Sequence, residues 1–206
     1  WNTWLRQRGV VAIDGVDTRR LVTHLRGRGA MRGGVSSELD PDALRERVLA
    51  HPVLDGRDLV SLAAGPRRSL GSAGPRVAAI DCGMKLSIAE RLVAAGCRLE
   101  VVGAGATPHE ILALDPAALF ISNGPGDPAA ATSVIDTVGA LLGTLPVFGI
   151  CMGHQLLARA LGIGTQKLPF GHRGANHPVR RHDDGRVEIT VTHPGSAVKN
   201  GDIPHG

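Results

Sequence analysis

Rings are scarce in this chain of 206 residues: aromatic side chains make up 2% of it and tyrosine is absent. With so few π-faces, base-stacking platforms and aromatic cages are hard to build, which argues against single-stranded nucleic acid as a partner. Cysteine is also sparse. Three cysteines, an odd number without CxxC spacing, support neither a disulfide framework nor a zinc site. There is no uninterrupted apolar run of about 18 residues or more, and no signal-peptide pattern, so neither a membrane span nor export is expected. Neither sign of charge dominates. A formal excess of +4, carried largely by arginines near the start, reads as solvated surface rather than a nucleic-acid footprint. These absences leave a reduced, cytoplasmic, globular protein, with 43% hydrophobic and 20% charged residues. Its core must come from Ala, Val, Leu and Ile.

What is present falls into three stretches. Residues 1–61 open on "WNTWL" and contain "DPDALRERVLA", where Asp40 before Pro41 is a helix start: an N-cap followed by proline at the first helical position. Residues 62–75, "LAAGPRRSLGSAGP", read as a linker. From 76 onward a β/α rhythm sets in. "RVAAID", "RLEVV", "AALFIS" and "PVFGI" read as strands, the last of them buried. "KLSIAERLVAAG", "PHEILAL", "PAAATSVIDTVGALLG" and "HQLLARAL" read as helices between and after them. This alternation predicts an α/β fold, a parallel sheet with helices on both faces and right-handed crossovers. Beyond about 164 the pattern shortens into loops and strands such as "RVEITVT".

In open parallel sheets, ligands bind beyond the carboxyl ends of the strands. Two loops lie at such ends: "SNGPGDP" (122–128) and "CMGHQ" (151–155). The second begins with Cys151 between Gly149 and Gly153, a G-x-C-x-G pattern. This is the cysteine form of a nucleophile elbow, in which a sharp strand-to-helix turn pushes the nucleophile out at the sheet's edge. The following helix N-terminus favours negative charge, and the thiolate is the attacking species. Attack on a carbonyl makes an oxyanion, for which the Met152 backbone N–H is the natural first donor and the "SNGPGDP" backbone the source of the second. The competing reading, a cysteine packed as a small hydrophobe, loses weight because a second glycine loop sits in the matching topological place.

"LFISNGPGDP" followed by "PVFGICMGHQLLA" resembles the class I (triad) glutamine amidotransferases. More narrowly, "AAIDCGMKLSIAERLVAAGCRLEVV" and "KLPFGHRGANHPV" resemble the small, glutamine-hydrolysing subunits of carbamoyl-phosphate synthase. "VVAIDGVDTRRLVTHLRGRGAMRGG" is similar to the end of those subunits' N-terminal domain. The resemblance implies a flavodoxin-like amidotransferase domain over 76–206, incomplete at its C-terminus, after the remnant of a smaller domain over 1–61. It implies glutamine hydrolysis and transfer of ammonia to a large partner subunit, for carbamoyl phosphate in arginine and pyrimidine synthesis. ATP and magnesium are then used by that partner, with no cofactor in this chain. By matching position, Cys151 is the catalytic nucleophile that forms a glutamyl thioester. Gly124, Gly126, Met152 (through its backbone), Gln155 and Gly195 bind substrate.

The departures bear on the mechanism. The family takes its histidine base and orienting carboxylate from a later His-Pro-Glu motif, which these 206 residues do not contain. "HPGS" at 193–196 stands where the family has a substrate loop, "NHGF", with His193 and Ser196 in place of Asn and Phe, and it comes too soon after Cys151 to supply the base. The expectation is a chain truncated at both ends that turns glutamine over only weakly by itself. His154, one helical turn from Cys151, reads as a packing or hydrogen-bonding residue. His172 and His177 match no metal-ligand pattern, and no metal is expected. Cys97 reads as core and Cys82, at a strand end, as mildly reactive. Two other readings stay open: a non-catalytic docking or scaffold fragment with an incomplete triad, and a thiol hydrolase of the α/β-hydrolase type.

Overall fold

The structure, a computed structural model, describes residues 1–199; the end of the expected amidotransferase stretch, 200–206, lies outside the described residues. In chain order it contains α1 (Asn2–Gln7), α2 (Thr18–Arg28), α3 (Pro41–Ala50) and the single turn α4 (Val60–Ala63). Then come β1 (Arg68–Leu70), β2 (Arg76–Asp81), α5 (Leu86–Ala94), β3 (Arg98–Gly103), α6 (Pro108–Leu112) and β4 (Ala118–Ile121). The rest comprises α7 (Thr132–Leu141), β5 (Val147–Gly149), α8 (Met152–Ala160), β6 (Thr165–Lys167), β7 (Gly174–Arg180), β8 (Val187–Thr192) and β9 (Ser196–Val198).

Two compact units result. The first takes Trp1–Val53 and Pro169–His193. Its helices start where the sequence says they should. Asp17 caps α2 by accepting from the Arg20 N–H, and Asp40 caps α3 by accepting from the Asp42 and Ala43 N–H groups, with Pro41 at the first position. The β7–β8 pair is an antiparallel hairpin with a register irregularity between Gly174 and His177. Val187, Ile189 and Val191 alternate along β8 and are all exposed.

The second unit takes Leu54–Leu168 and, among the described residues, 194–199. Its main sheet has the order β1-β3-β2-β4-β5, and β3, β2, β4 and β5 run parallel. The strand order, not the strand direction, reverses between β2 and β4, the switch point at which open α/β sheets bind ligands. Helices cover both faces. Ile88, Ala89, Leu92 and Val93 of α5 pack with Ala79, Leu99, Val101 and Phe120 on one side. On the other, Ile111 of α6, Val134, Val138 and Leu141 of α7 and Leu156 of α8 pack with Ala78, Ile80, Val102, Leu119 and Ile121. The last four residues of β2 are all buried, as a central strand flanked on both faces requires.

Two local expectations need correction. Within 62–75, read as linker, Arg68–Leu70 pairs antiparallel with β3 and closes one edge of the sheet. Three residues with one apolar side chain carry no periodic signal, so only the partner strand creates this element. "PVFGI" was expected to be buried, but Phe148 is 62% exposed. β5 is the other edge of the sheet, and the Phe148 ring stacks on Phe120 at 6.2 Å between ring centroids.

Candidate functional site

β4 and β5 are neighbours in parallel register, with Ile121 opposite Gly149. The loops that follow them therefore leave the same edge of the sheet. Cys151 lies in the β5–α8 turn at φ +55°, ψ −107°, as the N-cap of α8. That backbone conformation is sparsely populated for a residue with a Cβ and costs about 1–3 kcal/mol. The turn is held by the Ile150 N–H donating to the Ile121 carbonyl (3.1 Å), the Gly153 N–H to the Ile150 carbonyl (3.0 Å) and the Gln155 N–H to the Cys151 carbonyl (3.2 Å). Its glycines are there for space: a Cβ on Gly153 would be driven into the Ile121 carbonyl oxygen, and one on Gly149 into the Gly153 backbone. The outcome is an exposed Cys151 side chain. The Met152 N–H stands in the first turn of α8, where backbone donors have no intrahelical acceptor. The Met152 side chain is buried in the core, so its backbone is the part available to a ligand.

The 122–128 loop is clamped from two sides. Gly124 passes so close to the Cys82 carbonyl that any Cβ would collide with it. The Ser122 hydroxyl accepts from the Cys82 N–H (2.9 Å) and donates to the Asn123 carbonyl (2.8 Å). The Asn123 side chain bridges back to the β2–α5 turn, accepting from the Lys85 N–H (3.0 Å) and donating to the Gly83 carbonyl (3.1 Å). On the other side, the Asp127 carboxylate accepts from the Gly56 N–H (3.0 Å), and Gly126, at φ +95°, leaves only 3.0 Å between a hypothetical Cβ and Leu59 Cβ.

Of the residues read from sequence, Cys151, Met152, Gly124 and Gly126 lie on these two adjoining loops. Gln155 is placed differently. It is buried, and its amide Nε2 donates to the Ser196 carbonyl (2.7 Å), tying α8 to β9. Gly195 lies one residue before that contact, where its own carbonyl accepts from the Leu168 N–H (2.9 Å) and a Cβ would meet open space. His154 is exposed on α8. His172 and His177 stack edge to face at 6.1 Å, and the described residues hold no group of three or more His, Cys, Asp or Glu suited to a metal. Ser122, Asn123 and Asp127 were missed as parts of the site, although polar residues bracketing "GPG" at a strand end were a legible signal. Asp81 was missed altogether, because nothing in "RVAAID" tells a buried carboxylate from an exposed one.

The expectation for Cys82 is corrected. The residue is fully buried, and its thiol is pushed up to about 12, chiefly by burial and further by the Asp81 charge. Such a thiol is expected to be unreactive while the fold is intact. Iodoacetamide at pH 7.5 is expected to alkylate Cys151 while leaving Cys82 unmodified until the fold is opened by denaturant, as read by peptide mass spectrometry. Asp81 behaves oppositely. Burial alone raises it, but hydrogen bonds from the Met84, Gly83 and Gly65 backbones and from Arg68 outweigh burial and hold its carboxyl below the ordinary value. A carboxylate with a depressed folded pKa stabilises the fold above its unfolded value, about 3.9, and loses that contribution as pH falls through the folded value. The stability gap between the native protein and Asp81→Asn is therefore expected to be full at pH 6 and to shrink below about pH 4, measured by urea midpoints.

The site thus consists of an exposed cysteine on a strained strand-to-helix elbow beside a glycine loop. The profile of the family "Glutamine amidotransferase class-I" matches residues 78–206, and the chain belongs to that family. Within it, the similarity is to carbamoyl phosphate synthase small chains. That of Syntrophotalea carbinolica is 43% identical over 97% of this chain and 58% of the relative, and that of Chlorobaculum tepidum is 44% identical over 97% and 57%. Residues 1–35 match the profile "Carbamoyl-phosphate synthase small chain, CPSase domain". The chain thus spans somewhat over half the length of these relatives. Among solved structures, one from Thermoplasma acidophilum, named for a GMP synthase subunit, shares the fold. It has a TM-score of 0.52 at 22% identity, over 63% of this chain and 68% of that one. No helix among the described residues is long and apolar enough to cross a membrane.

Proposed function

We propose that this chain is the glutamine-hydrolysing part of a carbamoyl-phosphate synthase, acting through a Cys151 thioester. The observation that carries the reading is Cys151 itself, exposed at φ +55° between β5 and α8 and beside the 122–128 loop. In the proposed reaction the Cys151 thiolate attacks the side-chain carboxamide carbon of L-glutamine. The new S–C bond places negative charge on the former carbonyl oxygen, for which this reading takes the Met152 N–H and the Gly124–Gly126 backbone as donors. Collapse breaks the C–N bond, and the nitrogen leaves as ammonia once protonated. Water then cleaves the thioester to glutamate and returns the thiolate. Both proton transfers call for a histidine oriented by a carboxylate, a pairing that no histidine makes among the described residues.

None of these steps asks for a cofactor in this chain. In this reading the ammonia passes to a large synthase subunit, which uses ATP and magnesium to make carbamoyl phosphate for arginine and pyrimidine synthesis. A cytoplasmic location goes with it, since three free thiols persist where the compartment is reducing. The test is covalent capture. A glutamine-mimicking chloroketone is expected to label Cys151 stoichiometrically, with protection by L-glutamine, as read by peptide mass spectrometry. Labelling that glutamine does not slow would sink the glutaminase reading. Ester hydrolysis indifferent to glutamine would favour a thiol hydrolase instead.

A further inference from the structure

The end of β2 carries a buried carboxylate that no step above uses. The Asp81 side chain is 3% exposed, yet all its acceptor capacity is taken. One oxygen accepts from the Gly83 N–H (2.9 Å) and the Met84 N–H (2.7 Å). The other accepts from the Arg68 guanidinium (3.0 Å) and the Gly65 N–H (3.3 Å). A buried charge is costly unless its lone pairs are filled in this way. Two backbone segments distant in sequence, 65–68 and 83–84, thus converge on one side chain at the switch point of the sheet.

The fixed segment is the one that shapes the 122–128 loop. Gly83 and Lys85 exchange hydrogen bonds with the Asn123 side chain, the Cys82 N–H holds Ser122, and the Cys82 carbonyl lies against Gly124. Pro125 closes on Gly83, leaving only 3.0 Å between its Cδ and a hypothetical Cβ there. Any shift of the 82–85 turn must therefore pass into the backbone at Gly124. We propose that Asp81 is a positioning residue for this site, holding the 82–85 turn so that the Gly124 backbone stands where the oxyanion develops; this rests on the glutaminase reading. Asp81 itself does not touch the reacting atoms. An asparagine at 81 keeps the shape but has one acceptor oxygen, so its NH₂ must face either the Gly83 and Met84 donors or the Arg68 and Gly65 donors.

Two alkylating probes separate loop geometry from thiol reactivity. With the glutamine-mimicking chloroketone the thiolate adds to the ketone carbon, giving a tetrahedral oxyanion. Sulfur then shifts to the adjacent CH₂ as the C–Cl bond breaks, the first S–C bond is cleaved, the ketone re-forms and chloride leaves. Iodoacetamide reacts by direct displacement of iodide and forms no oxyanion. Rate constants at Cys151 are measured for the native protein, Asp81→Asn and Asn123→Ala, with Cys82 alkylation as the indicator of unfolding. Asp81→Asn is expected to slow the chloroketone about tenfold or more while leaving iodoacetamide within about twofold, because a displaced donor weakens only the oxyanion-forming reaction. Asn123→Ala, which removes the relay alone, is expected to do the same. Chloroketone rates unchanged in a folded Asp81→Asn, or both probes slowed equally, would overturn the proposal. If Cys82 reacts in Asp81→Asn, that variant has opened, and an unslowed chloroketone rate in Asn123→Ala would overturn it instead. Failure of glutamine to protect the native protein would sink the glutaminase reading itself, a result distinct from either.

Discussion

Replacing Cys151 with glycine is expected to abolish chloroketone labelling at this position and to make the protein more stable. A non-glycine residue at φ +55°, ψ −107° holds about 1–3 kcal/mol of strain. Glycine releases that strain, at a cost of about 0.5–1 kcal/mol for its greater freedom in the unfolded chain. The net gain is about 1 kcal/mol, visible as a higher urea midpoint at an unchanged slope. Cys151→Ser is the necessary comparison, since serine removes the sulfur and keeps the strained backbone. On the glutaminase reading, whatever glutamine hydrolysis the chain supports is expected to be lost in both variants, as removal of a nucleophile requires. Only the glycine variant is expected to gain stability. A Cys151→Gly protein less stable than Cys151→Ser would mean the turn is not strained. The elbow would then be ordinary packing rather than a conformation kept for its chemistry.

Gly153→Ala is expected to damage stability and site together. The added methyl would be driven against the Ile121 carbonyl oxygen, which already accepts from the Ile150 N–H. Backbone on both sides leaves no flexible side chain to yield, so α8 must lift away from β4 and take Cys151 and Met152 with it. Overpacking of this kind costs about 3 kcal/mol. Capture by the chloroketone is expected to slow by about a hundredfold as the Met152 donor leaves its place. Gly139→Ala on α7 is the control. Its Cβ would meet only the Ala160 carbonyl, at 4.0 Å, so the same substitution there is expected to stabilise by about 0.5–1 kcal/mol. Equal effects at the two positions would show that helix propensity, not the close approach of α8 to β4, governs Gly153.

The two variants also mark how far residue pattern reaches. The G-x-C-x-G turn is legible because its cause is local: a tight strand-to-helix corner excludes side chains at Gly149 and Gly153, and the residues that satisfy it are neighbours in the chain. The same holds for the Asp40–Pro41 start of α3 and for the strand and helix alternation from Arg76 to Ala160. The polar brace behind Gly124 is another matter. It joins Gly65, Arg68, Asp81, Gly83 and Asn123, residues whose meeting depends on β2 lying between β3 and β4. Gln155 makes the same point from the opposite side. Its place in "CMGHQ" suggests a free amide, whereas the fold turns that amide onto the Ser196 carbonyl.

Local sterics and side-chain periodicity, then, were enough to determine the α/β class, the order of the central elements, and a sharp glycine-flanked turn at Cys151 beside a second glycine loop, because each depends on residues within a few positions of one another. Tertiary structure alone decided that Arg68–Leu70 is an edge strand, that Phe148 is exposed, that the Cys82 thiol is fully buried and that Asp81 gathers four donors. Those outcomes depend on which strand lies beside which and on how much water reaches the gap between them, and neither quantity is written in the spacing of residues along the chain.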